Sequence, residues 1–121
     1  MIIRFIKSLR WAVAGWRTFF GKERNGQIQL VVAFVVTGMG FLLNITRMEW
    51  IVIILCISVV LILEMLNTSI EKLCNLITTE FHPQIKIIKD VCAGAVLTAA
   101  MASFIVGLLI FIPYFLRLIS E

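Results

Sequence analysis

The sequence is short of charge. Only 15% of its 121 residues are Asp, Glu, Lys or Arg, against 61% that are hydrophobic. A soluble domain of this size needs roughly a quarter of its residues charged, because a small fold has a high ratio of surface to volume. The shortage excludes an ordinary soluble globule and a disordered tail. Proline occurs twice, at Pro83 and Pro113, so long helices meet few breakers. The three cysteines, Cys56, Cys74 and Cys92, are odd in number, far apart and without a CxxC pair or a His partner. No disulfide-stapled module or metal framework is implied, and they read as small buried hydrophobes. What is left is a small integral membrane protein, too short for two domains.

The few charges avoid three stretches, 25–46, 50–63 and 91–116, whose apolar hearts approach or exceed the ~20 residues that a helix needs to cross a bilayer. Met65, Leu66 and Ile70 continue the apolar face of the second beyond Glu64. The expected architecture is therefore all-α: an N-terminal surface helix over 1–20, then transmembrane helices over about 28–46, 50–77 and 88–118. Arg4, Lys7, Arg10, Arg17, Lys22 and Arg24 precede the first span, and Lys72, Lys86 and Lys89 lie between the second and third. The other side has only Arg47 and Arg117. By the positive-inside rule the N-terminus and the second connection face the cytoplasm. The net charge of +4 is then one-sided, suited to anionic headgroups or a phosphate-bearing ligand. Nucleic acid is not an expected partner.

Residues 1–20 imitate a signal peptide, but Arg4, Lys7, Arg10 and Arg17 interrupt every apolar run before an h-region forms. Their spacing puts the four cations on one helical face, with Ile2, Ile3, Phe5, Ile6, Leu9, Val13, Trp16 and Phe20 filling the rest. That pattern predicts an amphipathic helix lying on the membrane surface. Gly15 and Gly21-Lys22 imitate a phosphate loop, but the spacing is one residue too long and Glu23 stands where Ser or Thr belongs.

Polar residues at the edge of a span are costly and point to function. Glu64, Asn67 and Glu71 recur at i, i+3 and i+7, projecting from one helical face over about 10 Å of rise. Interhelical packing accounts for Asn67 and Ser69. It accounts poorly for two stacked carboxylates, which repel unless a proton or cation sits with them. Glu64, the deeper and drier, suits a general acid or base; Glu71, nearer water, suits a hard cation. Glu23 could add a second carboxylate. Two carboxylates with open positions fit Mg²⁺, which retains waters and accepts phosphate oxygens. With Arg4, Lys22 and Lys89 around it, such a site points to a nucleoside triphosphate. Ala95, Ala99, Ser103 and Gly107 form a small-residue stripe that permits close helix contact or self-association.

Glu64-x-x-Asn67-Thr68-Ser69-Ile70-Glu71, followed by Lys89-Asp90-x-x-Ala93-Gly94-Ala95-Val96, resembles the signature of the prokaryotic diacylglycerol kinase and undecaprenol kinase family. Arg4-Phe5-x-x-Ser8, Gly15 and Glu23-Arg24-Asn25 extend the resemblance along nearly the whole chain. It implies a homotrimer of protomers with three transmembrane helices and one surface helix, with active sites at subunit interfaces. It implies Glu64 as catalytic base and Glu23 and Glu71 as Mg²⁺ ligands. Arg4, Trp11, Glu23, Glu71, Glu80, Phe81, His82, Lys89 and Asp90 occupy positions used for ATP, and Arg4, Glu64 and Asn67 positions used for the lipid. Gln27 stands where the family commonly has Arg or Lys, and Asn75 where it commonly has Asp. The implied activity is ATP- and Mg²⁺-dependent phosphorylation of a lipid alcohol in the bacterial cytoplasmic membrane. Glu23-Arg24-Asn25 and the 107–113 tail resemble the undecaprenol branch more than the diacylglycerol branch. A proton-coupled exporter built on Glu64 or a non-enzymatic scaffold are the rival classes; neither needs Glu23, Glu71 and Lys89-Asp90 together.

Overall fold

The computed structural model describes residues 1–121 as four helices: α1 (Ile2–Lys22), α2 (Arg24–Leu42), α3 (Arg47–Ile77) and α4 (Pro83–Ser120). The last three are long and apolar enough to cross a membrane. The chain separates into two compact units, Met1–Val36 and Thr37–Glu121.

In the first unit the elbow between α1 and α2 is a single residue, Glu23. Its backbone is extended (φ −94°, ψ 126°), and its N–H donates to the carbonyl of the buried Phe19. Gln27 locks the elbow twice. Its backbone N–H donates to the Glu23 carbonyl (3.1 Å), and its Nε2 donates to the Gly21 carbonyl (3.1 Å). The second bond satisfies one of the carbonyls that a helix end otherwise leaves open. Gly26 permits a close approach here, since a Cβ on it would fall 2.3 Å from the Phe19 carbonyl oxygen. Along α1, the cations and most of the apolar side chains are exposed.

In the second unit the end of α2 meets the start of α3. Asn44 takes the left-handed conformation (φ 50°) that stops α2 at Leu42, short of the 46 expected. Asn tolerates that region better than most residues. Phe41 and Trp50 then stack at 4.9 Å, with Trp50 lying over Gly40. α3 begins at Arg47, ahead of the expected 50, because Thr46 and Glu49 form a reciprocal capping box. That box satisfies two open N–H groups. α4 begins at Pro83 rather than about 88. Its first turn carries Pro, whose missing N–H is no loss there, and His82 Nδ1 accepts from the Gln84 N–H at 3.2 Å. Pro113 lies inside α4.

α3 and α4 pack as an antiparallel hairpin. The buried residues of α3 are Ile53, Val60, Glu64, Asn67 and Cys74. Their spacing of seven, four, three and seven is that of a coiled-coil seam. The half-buried residues of α4, among them Ile85, Lys89, Cys92, Val96, Ala99, Ser103, Val106 and Ile110, follow the same alternation of four and three. Ala95 faces outward, so the small-residue stripe splits: Ala99, Ser103 and Gly107 lie on the shielded side. Two side-chain hydrogen bonds cross the hairpin. Tyr114 Oη donates to Glu49 Oε1 (2.6 Å) at one end, and Lys89 Nζ donates to Asn75 Oδ1 (2.8 Å) at the other. The Arg117 guanidinium lies 5.7 Å from the Tyr114 ring centroid.

Thr46→Ala removes the side-chain cap of α3 and is expected to cost about 0.5–2 kcal/mol. The measurement is thermal unfolding in detergent, where an unchanged midpoint would mean that the cap contributes nothing.

Candidate active site

The seam of α3 builds the site. Glu64 and Asn67 occupy positions that Ile53, Val60 and Cys74 occupy elsewhere along the same stripe, and they are 7% and 6% exposed. A carboxylate and an amide therefore stand where the helical pattern calls for apolar side chains. One Glu64 oxygen, Oε2, is fully buried. Interpolating between the Asn75–Lys89 and Glu49–Tyr114 contacts brings Glu64 level with Ala99 and Ala100 of α4. The side chains at that level of α4 are small.

Asn67 ties the deep carboxylate's neighbourhood to the shallower one. Its Nδ2 donates to Glu71 Oε1 at 3.4 Å, a long bond across one helical turn. Its Oδ1, on the other prong of the amide, is buried and accepts no hydrogen bond. A buried acceptor left in that state costs about 1–3 kcal/mol, and such groups in native structures call for an explanation such as a catalytic role or an absent ligand. Glu71 itself is half-buried.

At the loop end, Lys89 reaches across to Asn75, while Asp90 pairs with Lys86 one turn earlier on α4. Glu80, Phe81 and His82 lie exposed in the α3–α4 connection. There the Glu80 N–H donates to Thr78 Oγ1, and His82 commits Nδ1 to capping α4. Arg4 and Trp11 are exposed on α1, and Glu23 forms the elbow of the N-terminal unit. The structure thus brings Glu64, Asn67 and Glu71 onto one face and sets Lys89 against Asn75. No group of three or more His, Cys, Asp and Glu side chains gathers as a metal cage. Mg²⁺ bound through one or two carboxylates and substrate phosphates needs no such cage, and the hard oxygens of Glu71 suit it. The sequence reading did not pair Asn75 with Lys89 or Glu49 with Tyr114. The seam pattern was the available signal for the first pair, since Asn75 follows Cys74 and Lys89 falls between Ile85 and Cys92.

Residues 10–111 match the family described as prokaryotic diacylglycerol kinase. The chain belongs to this family. It is 45% identical over 111 residues to the undecaprenol kinase of Bacillus subtilis, covering 91% of this chain and 89% of that one. It is 38% identical over 112 residues to a diacylglycerol kinase of Synechocystis, covering 92% of this chain and 64% of the relative. A diacylglycerol kinase of Helicobacter pylori is 28% identical over 113 residues, covering 93% and 88%. The protein is therefore a lipid kinase of the membrane. Among the site residues, Trp11 through Asp90 fall inside the family match and Arg4 lies before it.

A carboxylate on a packing seam is held against its own solvation preference. Glu64→Leu is expected to raise the thermal midpoint in detergent by a few degrees while abolishing turnover, the trade between stability and function that strained sites show. A lower midpoint would mean that the contacts of Glu64 outweigh its desolvation.

Proposed function

We propose that this lipid kinase transfers the γ-phosphoryl group of ATP to the hydroxyl of undecaprenol, giving undecaprenyl phosphate and ADP. The observation that carries the reading is the buried Glu64 beside Asn67 on the α3 seam. It is supported by 45% identity to a relative named undecaprenol kinase. Diacylglycerol is the second reading, favoured by the names of the other relatives.

A lipid hydroxyl is far too weak an acid to ionise at neutral pH, so its attack on phosphorus needs a base that accepts the proton as the bond forms. Glu64 takes that part: the lipid oxygen bonds to the γ-phosphorus, its proton passes to the carboxylate, and the bond to the β-bridging oxygen breaks. Asn67, beside Glu64 on the same face, lines the place of the lipid headgroup. The rest of phosphoryl transfer is positioning and charge neutralisation. Glu71 and Glu23 would each offer a carboxylate to Mg²⁺, which when bound would supply charge neutralisation on the phosphates. Lys89 adds a cation, and Arg4, Trp11, Glu80, Phe81, His82 and Asp90 complete the nucleotide's surroundings. The lipid stays in the bilayer and ATP arrives from water, so the transfer must occur where the two meet.

In this reading α1 lies on the cytoplasmic leaflet of a bacterial membrane, its cations toward the anionic headgroups. Copies of the chain assemble as a homotrimer. The exposed Gly94 supports this, since nothing within the chain lies within 4 Å of where its Cβ atom would stand. Such an open small-residue position suits close helix contact between subunits.

Purified protein in bilayer mimics with labelled ATP should phosphorylate undecaprenol at a higher kcat/KM than diacylglycerol. The reverse preference would move the assignment to the second reading, and no phosphorylation of either would sink both. Glu64→Gln should lower kcat by about 10²–10⁴-fold, the range of a general base. Glu71→Gln should shift the Mg²⁺ titration to higher concentration, and an unchanged titration would remove Glu71 from the metal site.

A further inference from the structure

We infer that Asn75 is a positioning residue for Lys89, holding its ammonium at the loop end of the hairpin while leaving its charge intact for the nucleotide phosphates. The inference rests on the reading of Lys89 as an ATP contact.

The contact joins two helices rather than neighbours in sequence. Asn75 stands near the end of α3, Lys89 is in the second turn of α4, and Nζ donates to Oδ1 at 2.8 Å. Lysine is the side chain for which such an anchor changes most, because its four-carbon stem carries roughly 2 kcal/mol of rotamer entropy. An unanchored ammonium must be ordered by the ligand at the moment of binding, which weakens binding; an ordered one has less to lose.

The identity of the acceptor matters as much as its place. An ammonium has three N–H donors, and an amide oxygen occupies one of them without cancelling the charge. Two donors and a full positive charge are left for phosphate oxygens. Asp90, the nearest acid in sequence, is engaged by Lys86 on α4. The contact is also exposed, and a single exposed bond of this kind contributes little to stability. The hairpin is closed at this end by Cys74 in the seam and by the His82 cap of α4. A purely structural role is therefore a poor account of it.

The experiment uses the full chain in bilayer mimics, with the lipid alcohol that the wild type turns over, and measures KM for ATP, KM for lipid, kcat and thermal midpoint. Asn75→Ala should raise the ATP KM about 3–10-fold, a fraction of the effect of losing a hydrogen bond to a charged group outright. The lipid KM and the thermal midpoint should stay within error. Asn75→Asp, which keeps an acceptor of the same reach but sets a carboxylate against the ammonium, should leave the ATP KM a few-fold above wild type, because part of the lysine charge is then engaged by its partner. Lys89→Met should raise the ATP KM more than either, and adding Asn75→Ala to it should cause no further rise, because the coupling of the two residues is then already lost. An Asn75→Ala effect that persists in full on the Lys89→Met background, or that moves both KM values and the midpoint together, would overturn the inference. So would an unchanged ATP KM in Asn75→Ala while Lys89→Met raises it. If Lys89→Met itself leaves the ATP KM unchanged, the reading of Lys89 as a phosphate contact fails and the inference goes with it.

Discussion

The seam between α3 and α4 must accommodate a carboxylate. Everywhere else along that stripe, burial of apolar side chains holds the two helices together, but at Glu64 and Asn67 the seam carries groups that prefer water. Such an arrangement persists only where the surrounding structure over-determines it. Here the apolar residues Ile53 and Val60 lie on one side of the polar pair and Cys74 on the other. Side-chain hydrogen bonds cross the hairpin at both ends, Glu49 with Tyr114 and Asn75 with Lys89. A slip of one turn would set Glu64 against different α4 residues.

The same constraint separates the tasks of a lipid kinase along one helix. The deep end of the polar face, Glu64 and Asn67, is buried in the seam. The loop end is exposed and rich in cations and acids, where a nucleotide can arrive. One α-helix spans both environments because its backbone needs no partner to cross from one to the other. In the proposed reaction hydrophobicity is therefore more than an anchor, since it would keep Glu64 at the depth of a lipid hydroxyl.

Much of this is legible in residue order. The polar triplet at 64, 67 and 71 follows from helical spacing, and the scarcity of charge follows from composition. Helix ends were less legible. Asn44 halts α2 by taking a left-handed backbone, the Thr46 box advances α3, and His82 advances α4. Each is a local hydrogen-bond or dihedral choice that hydropathy does not register. Asn75 illustrates a different limit. In sequence it is a departure from the family's usual Asp; in the structure it is the acceptor for a lysine fourteen positions away.

Composition and periodicity were enough to establish a helical membrane protein and the face that carries Glu64, Asn67 and Glu71, because both are properties of single helices in a known solvent. Which side chains meet across the hairpin is a property of register, and register depends on contacts that form only when α3 and α4 dock. Docking turned the face bearing Glu64 and Asn67 inward, left one amide oxygen buried without a hydrogen bond, and brought Lys89 to Asn75. Those outcomes depend on the sum of packing along the whole seam, which no single segment of the chain contains.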